Sequence, residues 1–536
     1  MNRCNCVNTD SEALILLANL RCEYLNNHFS IRFLYLYVFI TGASVMAIEI
    51  AASRFLAPYF GTSMIVWANI IGLILLSLSL GYWVGGKWAD RWPSGKLLMM
   101  LSLLSGVLVS LLPLWGSFIF QFLTNGIMNT PVWIIFCSFF AVLIVFAPPV
   151  FLLAMVSPFA IRLVSDQSKD IGRVAGNLYA CSTLGSLLGT FGTAMITIPL
   201  LGARESIYIW SAALIVISGW GLRHTKQRWL VLLLLVPVLS YFFINDNVST
   251  SANEKVLWSK DTFYQFVRVV EASNGDISLV YNEGGGVQSI RRAKPGLHTG
   301  DYYNDYLVLP YLTNSPDQLL VLGSAGGTIP RLLAEYVKPQ FPNMNVTGVE
   351  LDPEVIALSY QFMGLKPEDA QIVNQDARVF ISNTNRKYDI IVVDCYSQQI
   401  YIPAHLSTVQ FFDTLRLHLN PDGLTALNVN VTTPDSPLLL AMAKTVKQVF
   451  PNTYIVKSSG QYNYMIIGSI RPLQTDNLNQ IHLNSPIHPL LEQWQKGLKE
   501  VNDEELLANA QVLTDNHAPT EMLTDSMIFG SIPDRP

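Results

Sequence analysis

The sequence predicts a multi-pass α-helical membrane domain followed by an α/β domain with a doubly wound, mostly parallel sheet and a small β-rich subdomain at its entry. Apolar runs dominate residues 31 to 244, and with 51% hydrophobic and 14% charged residues the chain lies far from a soluble average. After Asp246, charges, prolines and alternating patterns take over. Residues 319–352 then run from an apolar stretch through a glycine-rich turn and a helix-like segment to a second apolar stretch and the acids Glu350 and Asp352. That succession is a nucleotide-binding βαβ unit.

The first half is taken in order. Residues 1–30 form a tail, because the apolar stretch Ala13 to Leu20 is too brief to span a bilayer. Residues 31–245 hold about seven spans, at 33–52, 64–86, 97–120, 132–157, 176–200, 205–222 and 228–244. Gly81 with Gly85, and Gly185 with Gly189, recur at helix-contact spacing and predict a compact bundle. Glu49 is an acid inside the first span, with Arg54, Pro58 and Gly61 following.

Three basic groups sit between spans: Lys87, Arg91 and Lys96; Arg162, Lys169 and Arg173; Arg223, Lys226 and Arg228. All three belong on the inner side. Seven crossings would send the following domain outward, whereas the sulfonium co-substrate implied by the resemblance given below is made in the cytosol. The prolines Pro148, Pro149 and Pro158 mark the segment where an extra re-entrant or second crossing would restore it.

In the second half, FVRVVEA, ISLVYNE and GGGVQSI predict a small β-rich subdomain over 255–312, ending in a helical stretch from Tyr302 to Tyr311. From 313 to 475 apolar strands alternate with amphipathic helices, the signature of a mostly parallel, doubly wound sheet, and 476–536 form a C-terminal extension. Ligands of such sheets sit beyond the carboxyl ends of the strands. Gly323, Gly326 and Gly327 lie there and permit a tight turn against a ligand. Glu350 ends the second strand and can accept both hydroxyls of a ribose. Asp376 follows the third strand, where it reaches an adenine amino group or caps the ARVF helix, and Asp394 ends the fourth. Asp352 before Pro353 reads as a helix N-cap, and Asp389, at the opposite strand end, as structural.

Some classes are excluded. The net charge of −5 offers no basic stripe for nucleic acid. The six cysteines are scattered, which predicts a reduced compartment without a disulfide framework, and Cys4 and Cys6 lack the partners of a zinc site.

The order of motifs, from Tyr264-Gln265 and Gly286-Val287-Gln288 through GSAGGT, VTGVELD, NQDA, YDIIVVD and PAHLSTVQFF to LNPDG, resembles the spermidine synthase family of aminopropyltransferases. The helical half, with IEIAASRFLAPYFG and GNLYACSTLGSLLGT, resembles the membrane part of the fused spermidine synthase-like proteins. The resemblance implies a sheet of the S-adenosylmethionine-dependent methyltransferase and spermidine synthase type. It implies decarboxylated S-adenosylmethionine as co-substrate, with Glu350 on its ribose and Asp376 near its adenine. Asp394 would be the catalytic acid that takes or orients a proton of the attacking amine. Gln265, Asp301, Tyr303 and Tyr396 would contact that small-molecule amine, and no metal is required. The implied setting is a bacterial inner membrane, with the lipid bilayer as partner and room for a homo-oligomer.

Two positions depart from the family pattern. Where the family carries an acid before Gly-Gly-Thr this chain has Ala325, and where it carries a second acid three residues after Asp394 this chain has Ser397. Loss of the acid at 325 also removes the repulsion that would exclude the carboxylate of S-adenosylmethionine itself. Transfer of a methyl or aminocarboxypropyl group from that donor is therefore the alternative within the fold. A transporter or sensor, whose soluble domain only binds, is the alternative outside it.

Overall fold

The computed structural model describes residues 30–60, 64–124, 131–165, 170–223, 225, 228–243, 254–282, 286–298, 300–397, 401–480, 486–502 and 507–530. The tail, Gly61, Lys169 and Lys226 lie outside them. The chain divides into two compact units at Asp246 and Asn247.

Among the described residues of the first unit, six helices are long and apolar enough to cross a membrane: Ile31–Ala57, Ile65–Arg91, Gly95–Phe120, Ala147–Ser165, Ile171–Leu201 and Ala203–Leu222. Of the seven expected spans, the one at 228–244 has no such helix among the described residues, and the one at 132–157 is shifted along the chain. The segment at 132–157 is not one helix: Pro131–Val145 stops, and helix resumes over Ala147–Ala154 with proline in its first turn, where its missing N–H costs nothing. The segment at 228–244 is a tight 3-10 run, Arg228–Leu234, followed by the nine-residue helix Leu235–Phe243.

Small residues bring the helices together as their spacing predicts. A Cβ on Gly185 or Gly189 would lie 2.0 Å from the carbonyl oxygen of Phe39 or Ala43, so the first and fifth of these helices meet backbone to backbone. Glu49 sits half-buried in the first helix.

The second unit opens with an antiparallel sheet, β1 (Glu254–Asp261), β2 (Phe266–Ala272), β3 (Ile277–Tyr281) and β4 (Gly286–Arg291), in that order. Strand β1 was not legible in the sequence because it is a half-exposed edge, charged at both ends. A buried 3-10 helix, Tyr302–Leu312, follows where a helix was expected.

The core is an eight-stranded sheet. Its parallel part runs β7 (Gln371–Asn374), β6 (Asn345–Glu350), β5 (Gln318–Leu322), β8 (Tyr388–Val393) and β9 (Leu419–Asn430). Beyond β9 the sheet turns antiparallel, with β11 (Asn463–Ser469), β10 (Asn452–Lys457) and the short β12 (Lys499–Glu500). The link from β10 to β11 is too short for a crossover helix, so these strands can only form a hairpin. Four of the five residues of β5 and five of the six of β8 are buried, as strands covered on both faces require. Strand order reverses between β5 and β8, which opens a crevice at their carboxyl ends.

Candidate active site

The loop after β5 leaves the sheet through Gly323, whose φ of +82° suits only glycine and whose missing Cβ would lie 2.4 Å from the Asp394 carbonyl oxygen. The first glycine thus lets the β5 and β8 loops pass in contact. Gly326 and Gly327 fit against Ser289 and Leu365, so all three are fixed by protein neighbours, and the Gly326 N–H donates to the Ser289 hydroxyl at 2.9 Å. Ala325 between them takes a left-handed φ of +43°.

Glu350, buried at the end of β6, closes over this loop. Its two carboxylate oxygens accept from the Ala325 N–H at 2.8 Å and the Asp352 N–H at 3.0 Å. Each oxygen keeps a lone pair, so the carboxylate can still accept the two hydroxyls of a ribose. Burial raises its pKa, and the backbone donors lower it in part. Asp352 caps the following helix through Glu354 N at 3.0 Å and accepts from the Thr262 hydroxyl at 2.6 Å. Beside this group the Gln265 side chain is hydrogen-bonded to Tyr281, whose phenol feels both acids.

Asp376 caps the helix Ala377–Asn383 through Val379 N at 2.9 Å, with its other oxygen 3.6 Å from His405 Nε2. The capping alternative is thus realised, and one oxygen remains for another contact. Asp389 receives Gln318 N and the Asn420 amide at the far end of the sheet, as a structural acid should.

Asp394, immediately after β8, is enclosed by protein with an edge still exposed. Its carboxylate accepts from Tyr302 OH at 3.1 Å and Asn428 Nδ2 at 3.2 Å, with the Tyr306 hydroxyl beside it. Burial pushes its pKa up to about 6 against these lowering hydrogen bonds. Asn428 is oriented by the Asn463 amide at 2.9 Å, and its carbonyl accepts from Tyr396 OH at 2.8 Å. The Cys395 thiol lies in the joint field of Glu350, Asp394 and Asp376, all of which push its pKa up in addition to burial. Glu350 and Asp394 thus both lie against the loop after β5, Glu350 through the Ala325 N–H and Asp394 through its carbonyl beside Gly323.

The four residues assigned to the amine are placed differently from one another. Tyr303 stacks its ring 4.0 Å from that of Tyr302, next to Asp394, and donates its hydroxyl to Val287 O at 3.2 Å. Tyr396 lines the Asp394 surroundings with its hydroxyl engaged by β9. Gln265 belongs to the Glu350 side. Asp301 is held by a two-pronged pair with Arg292, which also takes Asp276. Asp305, from the same segment, is fully buried and accepts from Ser458, Ser459 and Trp494.

Sequence reasoning missed Tyr306 and Asn428 as neighbours of Asp394, and Asn463 as the residue that holds Asn428. Asn428 had a usable signal, a polar residue near the carboxyl end of the strand beside β8. Tyr306 and Asn463 had none, since a 3-10 helix and a hairpin return them to the site from distant sequence.

Comparison with known proteins gives this arrangement a relationship. The model of the spermine/spermidine synthase domain matches residues 303–468. A probable polyamine aminopropyl transferase of Bifidobacterium longum is 35% identical over 193 residues, 36% of this chain and only 42% of that protein. Longer matches run through both halves. The polyamine aminopropyltransferase of Corynebacterium efficiens is 24% identical over 464 residues, 80% of this chain and 84% of the relative. That of Leptospira interrogans is 23% identical over 482 residues, 82% and 88%. Over both halves the chain is similar to polyamine aminopropyltransferases, and its second half carries the match to the spermine/spermidine synthase domain, after a half with six described helices long and apolar enough to cross a membrane.

Proposed function

We propose that this protein is a membrane-embedded aminopropyltransferase that uses decarboxylated S-adenosylmethionine and a small polyamine acceptor of the putrescine kind. The observation that carries the reading is Asp394: a partly exposed carboxylate, tuned to about pH 6 and aimed by Tyr302 and Asn428, facing the same crevice as Glu350. The relatives' names support the reaction class.

The sulfonium supplies an activated carbon and a neutral thioether leaving group. Glu350 holds the ribose, the Gly323–Thr328 turn closes over the nucleoside, and Asp376 offers its second oxygen to the base. An acceptor amine arrives as a cation. Ionised Asp394 binds it and accepts a proton from it, and the free nitrogen lone pair then forms the C–N bond as the C–S bond breaks, the bonding electrons leaving on sulfur. The tyrosines around Asp394 are all pushed above their ordinary pKa and serve as neutral donors.

A second reading rests on Ala325. With a methyl group where an acid would hold the donor's free amine, the site lacks a charge against the carboxylate of S-adenosylmethionine, so aminocarboxypropyl transfer competes. Incubating the purified full chain with each donor and a panel of amines, followed by mass spectrometry, decides between them. Methylthioadenosine with an amine lengthened by an aminopropyl group is expected. An aminocarboxypropyl adduct, adenosylhomocysteine, or no turnover would overturn that expectation.

Placement in the membrane follows from parity. Six crossings put the three basic groups on one face and begin the soluble domain on that face, which we assign to the cytoplasm, where the donor is made.

A further inference from the structure

A cavity in the helical half has no part in the chemistry proposed above. It occupies about 310 Å³ and is lined by Tyr82, Gly86, Asp90, Arg162, Ser165 and Tyr179, among others. Helix Met64–Arg91 is clamped to Ala147–Ser165 at Gly81 and Gly85, where a Cβ would lie 2.5 Å from Ala154 Cβ and 2.7 Å from Met155 Cα. Past that contact both helices line the cavity, and helix Ile171–Gly192 adds Tyr179 as a further wall.

Its depth is set by the same helix. Trp83, Trp88 and Trp92 are exposed over the last turns, with Lys87 Nζ 3.6 Å above the Trp83 ring and the Arg91 guanidinium 4.8 Å from that of Trp92. Aromatic residues paired with basic ones mark the level of lipid headgroups. The cavity therefore opens at headgroup depth, on the face that carries the basic loops.

Its chemistry is bipolar. Arg162 Nε lies 3.6 Å from Asp90 Oδ1, and the two side chains keep 39% and 80% of their exposure, so both are accessible to a ligand. Arginine recognises phosphate through several N–H donors, while an acid beside two tyrosine rings suits a compact ammonium that can donate hydrogen bonds. We infer that this cavity binds the headgroup of a zwitterionic aminophospholipid, with Arg162 on the phosphate and Asp90, Tyr82 and Tyr179 around the primary ammonium. A glycerol headgroup gives Asp90 no cation, and a trimethylammonium gives it no N–H.

This inference rests on the membrane placement proposed above, and the test separates the two. The full chain is purified in mild detergent, offered an equimolar mixture of phosphatidylethanolamine, phosphatidylglycerol and phosphatidylcholine, and examined by native mass spectrometry for retained lipid. Retention of phosphatidylethanolamine over the other two by about tenfold is expected, the size of one good charged contact. Asp90→Asn should bring phosphatidylethanolamine and phosphatidylglycerol to parity, and Arg162→Gln should lower retention of both. Gly86→Leu should block all three, and since a Cβ there meets nothing within 4 Å it leaves the helix packing intact. Equal retention of the three lipids by the wild type, or no effect of Gly86→Leu, overturns the site. So does displacement of the lipid by equimolar glycerophosphoethanolamine or spermidine, which would assign the cavity to a soluble phosphodiester or a free amine. Recovery of the chain from cells without detergent would remove the membrane placement as well.

Discussion

At Asp394 two opposed effects set the proton affinity: withdrawal from water raises it, and donors on Asn428, Tyr302 and Tyr306 lower it, leaving about 6. An unfolded aspartate titrates near ~3.9. Between these values the folded protein holds the extra proton, so this residue's contribution to stability is greatest below ~4 and falls as pH rises through about 6. In the proposed transfer the dependence is opposite, because only the carboxylate would receive a proton from the amine. We expect kcat/KM to fall as pH drops through about 6, and Asp394→Asn to lose turnover by roughly a hundredfold or more, the usual scale of a general base. The same variant should melt higher than the wild type at pH 7.5, with the difference closing towards pH 4. Full turnover in Asp394→Asn would remove this residue from the reaction.

Among single residues, Glu350 and Asp394 were legible because an acid that ends a continuous apolar strand is placed by the strand itself. Asp376 was legible in position and divided in role, since the residue after a strand is also the residue before a helix. Asp301 was not legible. Its partner Arg292 arrives from the end of the first sheet, and no local pattern predicts that a charge will be matched from there.

At the level of elements, the contact between helix Ile31–Phe60 and helix Ile171–Gly192 depends on the absence of side chains at Gly185 and Gly189. Without a hydrophobic effect between apolar helices, close backbone approach is the main source of attraction. Gly185→Leu should therefore cost about 1–3 kcal/mol or more through overpacking. Thermal unfolding in detergent is the measurement, and the loss should far exceed that of Gly176→Leu on the same helix, where a Cβ would meet nothing within 4 Å. Equal melting of the two variants would show that the small residues do not carry the contact. Helix existence was readable in this half from apolar length, except at 228–244, where a 3-10 run precedes a short helix. Helix ends were not: the fourth long apolar helix is Ala147–Ser165, with Pro148 and Pro149 in its first turn, where a missing N–H is tolerated best. In the α/β half, alternation revealed the strands but not the direction of β11, which is set by the shortness of the turn before it.

For the whole molecule the decisive number is the parity of crossings. With six, reporter fusions after Arg223 and after Pro536 should both report the cytoplasmic side, and one after Phe60 the outer side. A cytoplasmic signal after Arg223 with an outer signal after Pro536 would restore the seventh crossing. The sequence by itself determined that an apolar helical half precedes a nucleotide-type α/β half, and which strand-end acids face the crevice. Length, composition and a period of two or of 3.6 residues are local properties. Tertiary structure alone decided that Tyr302, Tyr306 and Asn428 converge on Asp394 with Asn463 behind Asn428, and that Asp90 and Arg162 share one cavity. Those groups come from separate segments, and a contact between distant segments is fixed by how layers pack rather than by any pattern within one of them.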